Sequence, residues 1–159
     1  DDIYIKNVII VNDSFHARYM VKEKTYEYKI NVGMYNPLFK DFIYQYCKSL
    51  NLKKMRKAIK YFVGTNDFTL FSSSSDKRLD KTREIKYANI KKQKDIIVIT
   101  FKAKGFLKYQ VRTMVGALIK ISEENLETKI IKEMLKGKFN KKISYVAPAC
   151  GLTLINIKY

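Results

Sequence analysis

The alternation of apolar and polar residues along the chain predicts three helices. Apolar residues recur at intervals of three and four, the spacing of an amphipathic helix with one buried stripe. This spacing occurs at residues 52–63, 106–122 and 126–135. Asn51 is a predicted N-cap for the first helix and Gly64 a predicted C-cap, and Gly137 is predicted to end the third helix.

Strand patterns lie outside these helices. Short apolar runs and alternating apolar and polar positions predict strands, and they occur at residues 8–11, 25–30, 82–90, 96–101 and 151–159. In the second of these, Tyr26, Tyr28 and Ile30 are predicted to share one face of the sheet. The polar residues 91–95 separate two strands directly, which predicts an antiparallel hairpin.

The connections between these elements differ in character. Residues 33–51 contain Asn36-Pro37 and are predicted to have little regular structure, whereas residues 72–81 are polar, charged and predicted to form an exposed loop. Because strands and helices are segregated without a βαβ repeat, the pattern predicts an α+β fold. We expect a mostly antiparallel sheet with helices packed on one face, and a single domain over residues 1–159.

The charge of the chain points to an anionic partner. Its 159 residues include 32 Lys and Arg against 15 Asp and Glu, a net charge of +17. Such a charge disfavours a compact state unless an anion, most often a nucleic acid, takes it up. The alternative is a lysine-rich surface that is only solvated.

The chain carries no sign of a membrane span or a signal peptide. No apolar run approaches the roughly 18 residues that a span requires, and Asp1-Asp2-Ile3 is neither basic nor apolar. Cys47 and Cys150 match no metal-ligand spacing and suit a reducing compartment. We therefore expect a cytoplasmic protein without membrane association, and the absence of an initiator Met predicts a piece of a longer chain.

The residues offer no self-sufficient catalytic set. The phosphate-binding pattern GxxxxGK and the dinucleotide-binding pattern GxGxxG are both absent. His16 is the single imidazole, which argues against a zinc site or a histidine-based triad. Asp67, Asp76 and Asp80 lie in or beside the predicted exposed loop, where a carboxylate is expected to titrate normally.

A second stripe on the predicted helix 106–122 needs an explanation. Helical geometry would bring Gly105, Lys108, Arg112 and Gly116 near one another. Glycine inside a helix costs about 1 kcal/mol relative to alanine, so glycines beside a charge predict close approach by another group. From spacing alone, a solvated Arg112 remains the alternative.

Five ordered motifs together resemble one protein family. They are Phe15-His16-Ala17-Arg18, Lys24-Thr25-Tyr26-Glu27-Tyr28, Gly64-Thr65-Asn66-Asp67-Phe68-Thr69-Leu70-Phe71, residues 106–116 with the pattern V-R-x-x-V-G, and Ala149-Cys150-Gly151-Leu152. In this order they resemble the C-terminal half of the catalytic domain of tRNA pseudouridine synthase A, the TruA family. The resemblance covers nearly the whole chain and implies half of a pseudouridine synthase fold.

That resemblance implies an activity and a set of partners. Family members isomerise uridines in the anticodon arm of tRNA without a cofactor or a metal. Their essential aspartate lies in an R-x-D-x-G type motif of the N-terminal half, and this chain contains no such motif. The chain alone is therefore expected to be inactive, and its expected partners are tRNA, the missing N-terminal half and a second subunit in a homodimer.

The resemblance also implies site residues. Tyr26 would stack on the flipped uracil, and Arg112 would pair with the catalytic aspartate. The positions that match tRNA-binding segments, or lie beside them, are Phe15, His16, Ala17, Arg18, Tyr19, Lys24, Ser75, Asp76, Lys77, Arg78, Leu79, Arg83 and Lys108. Gln110 departs from the apolar residue usual in the family. The alternative function is a stand-alone, non-catalytic RNA-binding module.

Overall fold

A six-stranded sheet organises the computed structural model, which describes residues 2–139 and 145–159. Its strands are β1 (Glu23–Asn31), β2 (Tyr44–Gln45), β3 (Gly64–Asp67), β4 (Thr82–Gln93), β5 (Ile96–Ala103) and β6 (Leu152–Lys158). The order across the sheet is β2-β1-β5-β4-β3, and β6 also pairs with β1. Only the β1–β2 pairing is parallel among these described strands, so the predicted α+β fold with a mostly antiparallel sheet is confirmed.

The core lies between one face of the sheet and the helices α1 (Leu52–Ile59), α2 (Gln110–Glu123) and α3 (Ile130–Leu135). The register aligns Tyr28 with Ile99 and Ile99 with Ile90, which places all three on the same face. Each is buried in one cluster with residues of the three helices. Tyr26, Tyr28 and Ile30 share this face as predicted. None of the helices in the described ranges is long and apolar enough to cross a membrane.

The N-terminal segment corrects one prediction. Residues 8–11 form no strand and are exposed, and no strand of the described chain pairs with them. A strand requires a neighbour for its backbone N–H and C=O groups, and apolar composition alone does not provide one. The next prediction holds, because residues 33–51 contain only the 3₁₀ turn Pro37–Phe39 and the two-residue strand β2.

The boundaries of α1 and α3 differ in part from those predicted. Asn51 caps α1, since its side-chain oxygen accepts a hydrogen bond from the Lys54 N–H at 3.1 Å. Gly64 does not cap this helix: a 3₁₀ turn follows α1, and Gly64 opens β3 at φ +99°. Helix α3 starts at Ile130, so Leu126 lies outside it. Gly137 follows α3 at φ +69°, as a terminating glycine does.

Helix α2 begins at Gln110, later than the residue 106 predicted from periodicity. Tyr109 has a left-handed backbone at φ +63°, which a continuous helix does not allow. The buried Gln110 side chain accepts a hydrogen bond from the Leu107 N–H at 2.8 Å and fixes the turn before the helix. Gly105 and Lys108 therefore precede α2, and the predicted stripe reduces to Arg112 and Gly116.

Another part of the chain approaches Gly116 closely, as the glycine within the predicted helix indicated. The backbone carbonyl of Tyr145 lies where a Cβ on Gly116 would stand. At an open helical position, replacing glycine by alanine gains about 1 kcal/mol. Here the methyl group has to displace a backbone segment instead of a flexible side chain.

We expect Gly116→Ala to lower the free energy of unfolding by about 1–3 kcal/mol, the usual cost of overpacking. Urea denaturation monitored by circular dichroism measures this change. Gly105→Ala is the matched control, because no atom lies within 4 Å of its added Cβ, and its stability should not fall. Equal stability of the two variants would contradict the close approach of Tyr145.

Candidate active site

A cleft of about 170 Å³ lies beside the segment that leads into α2. It is lined by residues from β1, from β6 and from the start of α2: Lys24, Tyr26, Phe106, Leu107, Tyr109, Gln110, Val111, Arg112 and Leu152. The two residues to which the resemblance assigns chemistry, Tyr26 and Arg112, therefore line one cavity. Tyr26 is partly buried, and its ring packs edge-on against Phe106 with centroids 5.3 Å apart.

Arg112 is held in the cleft by backbone and ring contacts. Its Nε donates a hydrogen bond to the Ala147 carbonyl at 2.6 Å, and the Ala147 N–H donates to the Arg112 carbonyl at 3.2 Å. The guanidinium carbon lies 5.0 Å from the centroid of the Tyr109 ring, a cation–π contact. Tyr109 therefore immediately precedes α2 with a left-handed backbone, and its ring contacts the guanidinium.

No acid in the described ranges pairs with Arg112. The guanidinium is partly buried and restrained by Ala147, yet only its Nε has a hydrogen-bond partner among these residues. A guanidinium with free N–H groups in a fixed fork is suited to bind a carboxylate or phosphate through two hydrogen bonds. The guanidinium is therefore placed in the cleft as a group suited to bind an anion.

Residues 145–151, which we name the strap, hold this arginine through the two hydrogen bonds of Ala147. The Tyr28 hydroxyl on β1 donates a hydrogen bond to the Pro148 carbonyl at 2.7 Å. Burial raises the pKa of this hydroxyl, so it stays protonated and able to donate at neutral pH. Gly151 allows the Tyr28 ring to pack closely, because a Cβ there would lie 2.6 Å from Cζ. Gly116 and Gly151 together let the strap contact both α2 and β1.

The loop 72–81 is irregular and mostly exposed, as predicted, but it is anchored on the same segment through Asp76. Asp76 is only 8% exposed. Its Oδ2 accepts a hydrogen bond from the Lys108 N–H at 3.1 Å, and its Oδ1 accepts one from the Arg78 N–H at 3.2 Å. The Ser73 N–H also donates to the Lys108 carbonyl at 2.9 Å. The loop is therefore tied to the residues that enter α2.

These contacts correct the prediction of ordinary carboxylates. The hydrogen bond from the Lys108 N–H lowers the pKa of Asp76, assisted by the Arg78 N–H and by the charge of Arg78. Hydrogen bonds from the Thr82 backbone and hydroxyl likewise lower the pKa of Asp80. These donors are backbone N–H groups and the Thr82 hydroxyl, and composition and periodicity do not reveal such contacts.

Seven of the thirteen predicted RNA-binding residues form two clusters in the structure. Ser75, Asp76 and Arg78 lie with Lys108, whose ammonium donates to the Ser75 hydroxyl at 3.1 Å. Arg18 and Tyr19 line a cavity together with Arg83. Lys24 lines the cleft itself. The remaining predicted residues are Phe15, His16, Ala17, Lys77 and Leu79, of which only Phe15 is partly buried.

Several residues that shape the cleft were absent from the sequence prediction. Phe106 and Tyr109 lie within a recognised motif, but their contacts with Tyr26 and Arg112 depend on the turn before α2. Ala147 belongs to the strap and Tyr28 contacts it, and the strap is remote in sequence from both Tyr26 and Arg112. Within residues 2–139 and 145–159, no three or more His, Cys, Asp or Glu side chains are grouped as a metal site requires.

Comparison with known proteins finds similar sequences. A family model described as tRNA pseudouridine synthase matches residues 58–159. The chain is 38% identical over 160 residues to tRNA pseudouridine synthase A 2 of Bacillus cereus (strain ATCC 10987 / NRS 248), covering 100% of this chain and 65% of that protein. It is 37% identical over 160 residues, with the same coverage, to tRNA pseudouridine synthase A 1 of Clostridium tetani.

The fold and the cleft define an α+β domain with an RNA-compatible charge and an arginine–tyrosine site. The match over residues 58–159 is more specific: the chain belongs to the tRNA pseudouridine synthase family. This confirms the resemblance seen in the ordered motifs. The chain spans 65% of the length of the two relatives, so they contain sequence beyond the part compared here.

The lowered pKa of Asp76 predicts a pH-dependent contribution to stability. A carboxyl whose folded-state pKa is depressed stabilises the fold above its unfolded pKa, and this contribution is lost as pH falls through the folded pKa. Asp76→Asn should therefore be less stable than the wild type at pH 7. The difference should shrink once the pH falls below about 3.9, the reference pKa of aspartate.

Free energies of unfolding measured from pH 3 to pH 8 test this expectation. Asp13→Asn removes the same charge from an exposed turn and serves as the control. A stability difference between wild type and Asp76→Asn that does not change with pH would contradict the role of the ionised carboxylate.

Proposed function

We propose that the protein to which this chain belongs is a tRNA pseudouridine synthase that modifies uridines of the anticodon stem–loop. In this isomerisation the C1′–N1 bond of uridine breaks and a C1′–C5 bond forms. The C5 proton leaves and N1 gains a proton, so the substrate and product have the same composition. The family resemblance implies that neither a cofactor nor a metal takes part.

The observation that carries this proposal is the geometry of Arg112. A restrained guanidinium lies in a cleft with Tyr26, and no acid pairs with it in the described part of the chain. We infer that this guanidinium pairs with the catalytic aspartate of an N-terminal half. A guanidinium beside that carboxylate would keep it ionised and fix its orientation through two hydrogen bonds.

Tyr26 is suited to receive the flipped base. Flipping a nucleotide costs a few kcal/mol of lost stacking, which an aromatic face partly restores. Phe106 contacts the Tyr26 ring edge-on, and the angle between the two ring planes is 88°. We propose that uracil stacks on Tyr26, and that Lys24 and the predicted RNA-binding residues hold the surrounding tRNA.

The surface suggests how the rest of the protein joins this chain. The outer edge of β6 has no partner among the described strands, and Leu154 and Ile155 are 42% and 48% exposed. An open strand edge is a template for a further strand. We propose that the N-terminal half pairs along β6, and that the complete protein is a cytoplasmic homodimer that binds one tRNA across both subunits.

The proposed role of Arg112 predicts a loss of catalysis without a loss of binding. In the complete protein, Arg112→Ala should abolish pseudouridine formation, while tRNA affinity stays within severalfold because binding uses many other cations. Arg112→Lys should rescue little activity, since a point charge does not reproduce the two-bond geometry. Tritium release from 5-tritiated uridine in tRNA measures turnover, and filter binding measures affinity. Near-normal turnover by Arg112→Ala would refute this role.

The proposed division of the site predicts that this chain alone lacks activity. It should bind tRNA with a strong salt dependence, because its net charge is +17, but it should release no tritium. Adding the separately produced N-terminal half should restore release. Tritium release by the chain alone would contradict the proposal that the nucleophile lies outside it. Tight tRNA binding with no activity after reconstitution would favour a stand-alone RNA-binding module.

A further inference from the structure

A second, larger cavity opens where several strands end. Its volume is about 660 Å³, and we name it the sheet-end pocket. Lys22 comes just before β1, Lys104 just after β5 and Tyr159 just after β6, while Lys86 belongs to β4. Phe15 and Tyr19 complete its charged and aromatic wall. Lys22, Lys86, Lys104 and Tyr159 lie outside the positions to which the family resemblance assigned RNA contacts.

The charged side chains that line this pocket are all positive. Three lysines line it and no acidic residue does. None of the three ammonium groups forms an ion pair or a side-chain hydrogen bond within residues 2–139 and 145–159. Like charges gathered in a concave surface raise the local concentration of anions. The pocket is therefore built to hold negative charge.

The aromatic residues add a preference for bases. The rings of Phe15 and Tyr159 meet edge to face with centroids 5.0 Å apart, so Phe15 supports Tyr159 from one side. Tyr159 remains 46% exposed. The Lys22 N–H donates to the Lys158 carbonyl at 2.8 Å, which ties this aromatic segment to the end of β6. Exposed rings beside lysines are the arrangement that binds single-stranded nucleic acid.

The sheet-end pocket is connected to the cleft through consecutive residues. Lys104 lines the sheet-end pocket, Gly105 lines an adjoining cavity that also contains Arg18 and Arg83, and Phe106 lines the cleft. Two steps of about 3.8 Å separate these Cα atoms along the chain. A strand of RNA with one base in the cleft could therefore place a neighbouring nucleotide in the sheet-end pocket.

We propose that the sheet-end pocket binds one nucleotide of single-stranded RNA near the target uridine. Its phosphates contact Lys86 and Lys104, and its base stacks on the exposed face of Tyr159. The identity of the RNA as substrate rests on the proposed function, whereas the binding itself rests on the charges and rings of the pocket.

The charge is tested with the complete protein and a fluorescein-labelled oligouridylate. The variant Lys86→Ala/Lys104→Ala removes two charges from the sheet-end pocket. Lys91→Ala/Lys92→Ala removes two exposed charges from β4 near the opposite end of the same hairpin. For single strands each lost phosphate contact lowers the slope of log affinity against log salt by about 0.7, so the pocket variant should lose about 1.4. Equal slopes and affinities for the two double variants would overturn the proposal.

The stacking is tested by three substitutions of tyrosine. Tyr159→Ala should weaken oligouridylate binding roughly 5- to 150-fold, the range for loss of one base–ring stack. Tyr159→Phe should retain affinity, because it keeps the ring. Tyr35→Ala, an exposed tyrosine outside the pocket, is the control. Heparin, a polyanion without bases, should bind Tyr159→Ala as it binds the wild type. Oligouridylate affinities that match between Tyr159→Ala and Tyr35→Ala would refute the stacking.

Pseudouridine formation by the same preparations separates this inference from the proposed function. If the wild type forms pseudouridine and the pocket variants bind RNA as their controls do, the proposed function stands and the nucleotide-binding role of the sheet-end pocket is refuted. If the pocket substitutions weaken oligouridylate binding but the wild type forms no pseudouridine, the sheet-end pocket is supported and the proposed function is refuted.

Discussion

The structure of the site depends on the paired hydrogen bonds between Arg112 and Ala147. The Arg112 side chain donates to the backbone that in turn donates to the Arg112 carbonyl, so the strap and α2 fix each other. A hydrogen bond from a charged donor contributes about 1.5–3 kcal/mol. Gly116 on α2 permits the close approach of the strap, and the Tyr28 hydroxyl on β1 adds a hydrogen bond to it. The guanidinium is consequently oriented by neutral groups, which leaves its charge available to an anion.

Asp76 is the second side chain of the site that backbone groups hold in place. The carboxylate accepts hydrogen bonds from two backbone N–H groups, and its contact with the Arg78 side chain is a longer one of 3.6 Å. Backbone donors therefore hold the loop against the start of α2, while Lys77 and Lys108 keep exposed ammonium groups. The chain has a net charge of +17. Because backbone N–H groups bind the Asp76 carboxylate, the lysine side chains stay available to an anionic partner.

Local patterns predicted the elements but not the contacts between them. Helical spacing identified the cores of α1, α2 and α3, and alternation identified β1, the β4–β5 hairpin and β6. The apolar run at residues 8–11 failed because a strand depends on a neighbour. Ordered motifs identified Tyr26 and Arg112, which do line one cleft. The buried Asp76 and the strap contacts were not predictable, since each joins segments more than thirty residues apart in sequence.

The end of β5 explains why a site and a charged surface occur together. Residues 104–106 leave the sheet and pass from the sheet-end pocket to the cleft before the chain turns into α2. Gly105 carries no side chain between a lysine on one side and an aromatic ring on the other. A ligand that follows this segment meets a cation first and a ring next, the alternation of phosphate and base in a single strand of RNA. One short exit from the sheet therefore joins the positively charged pocket to the aromatic cleft.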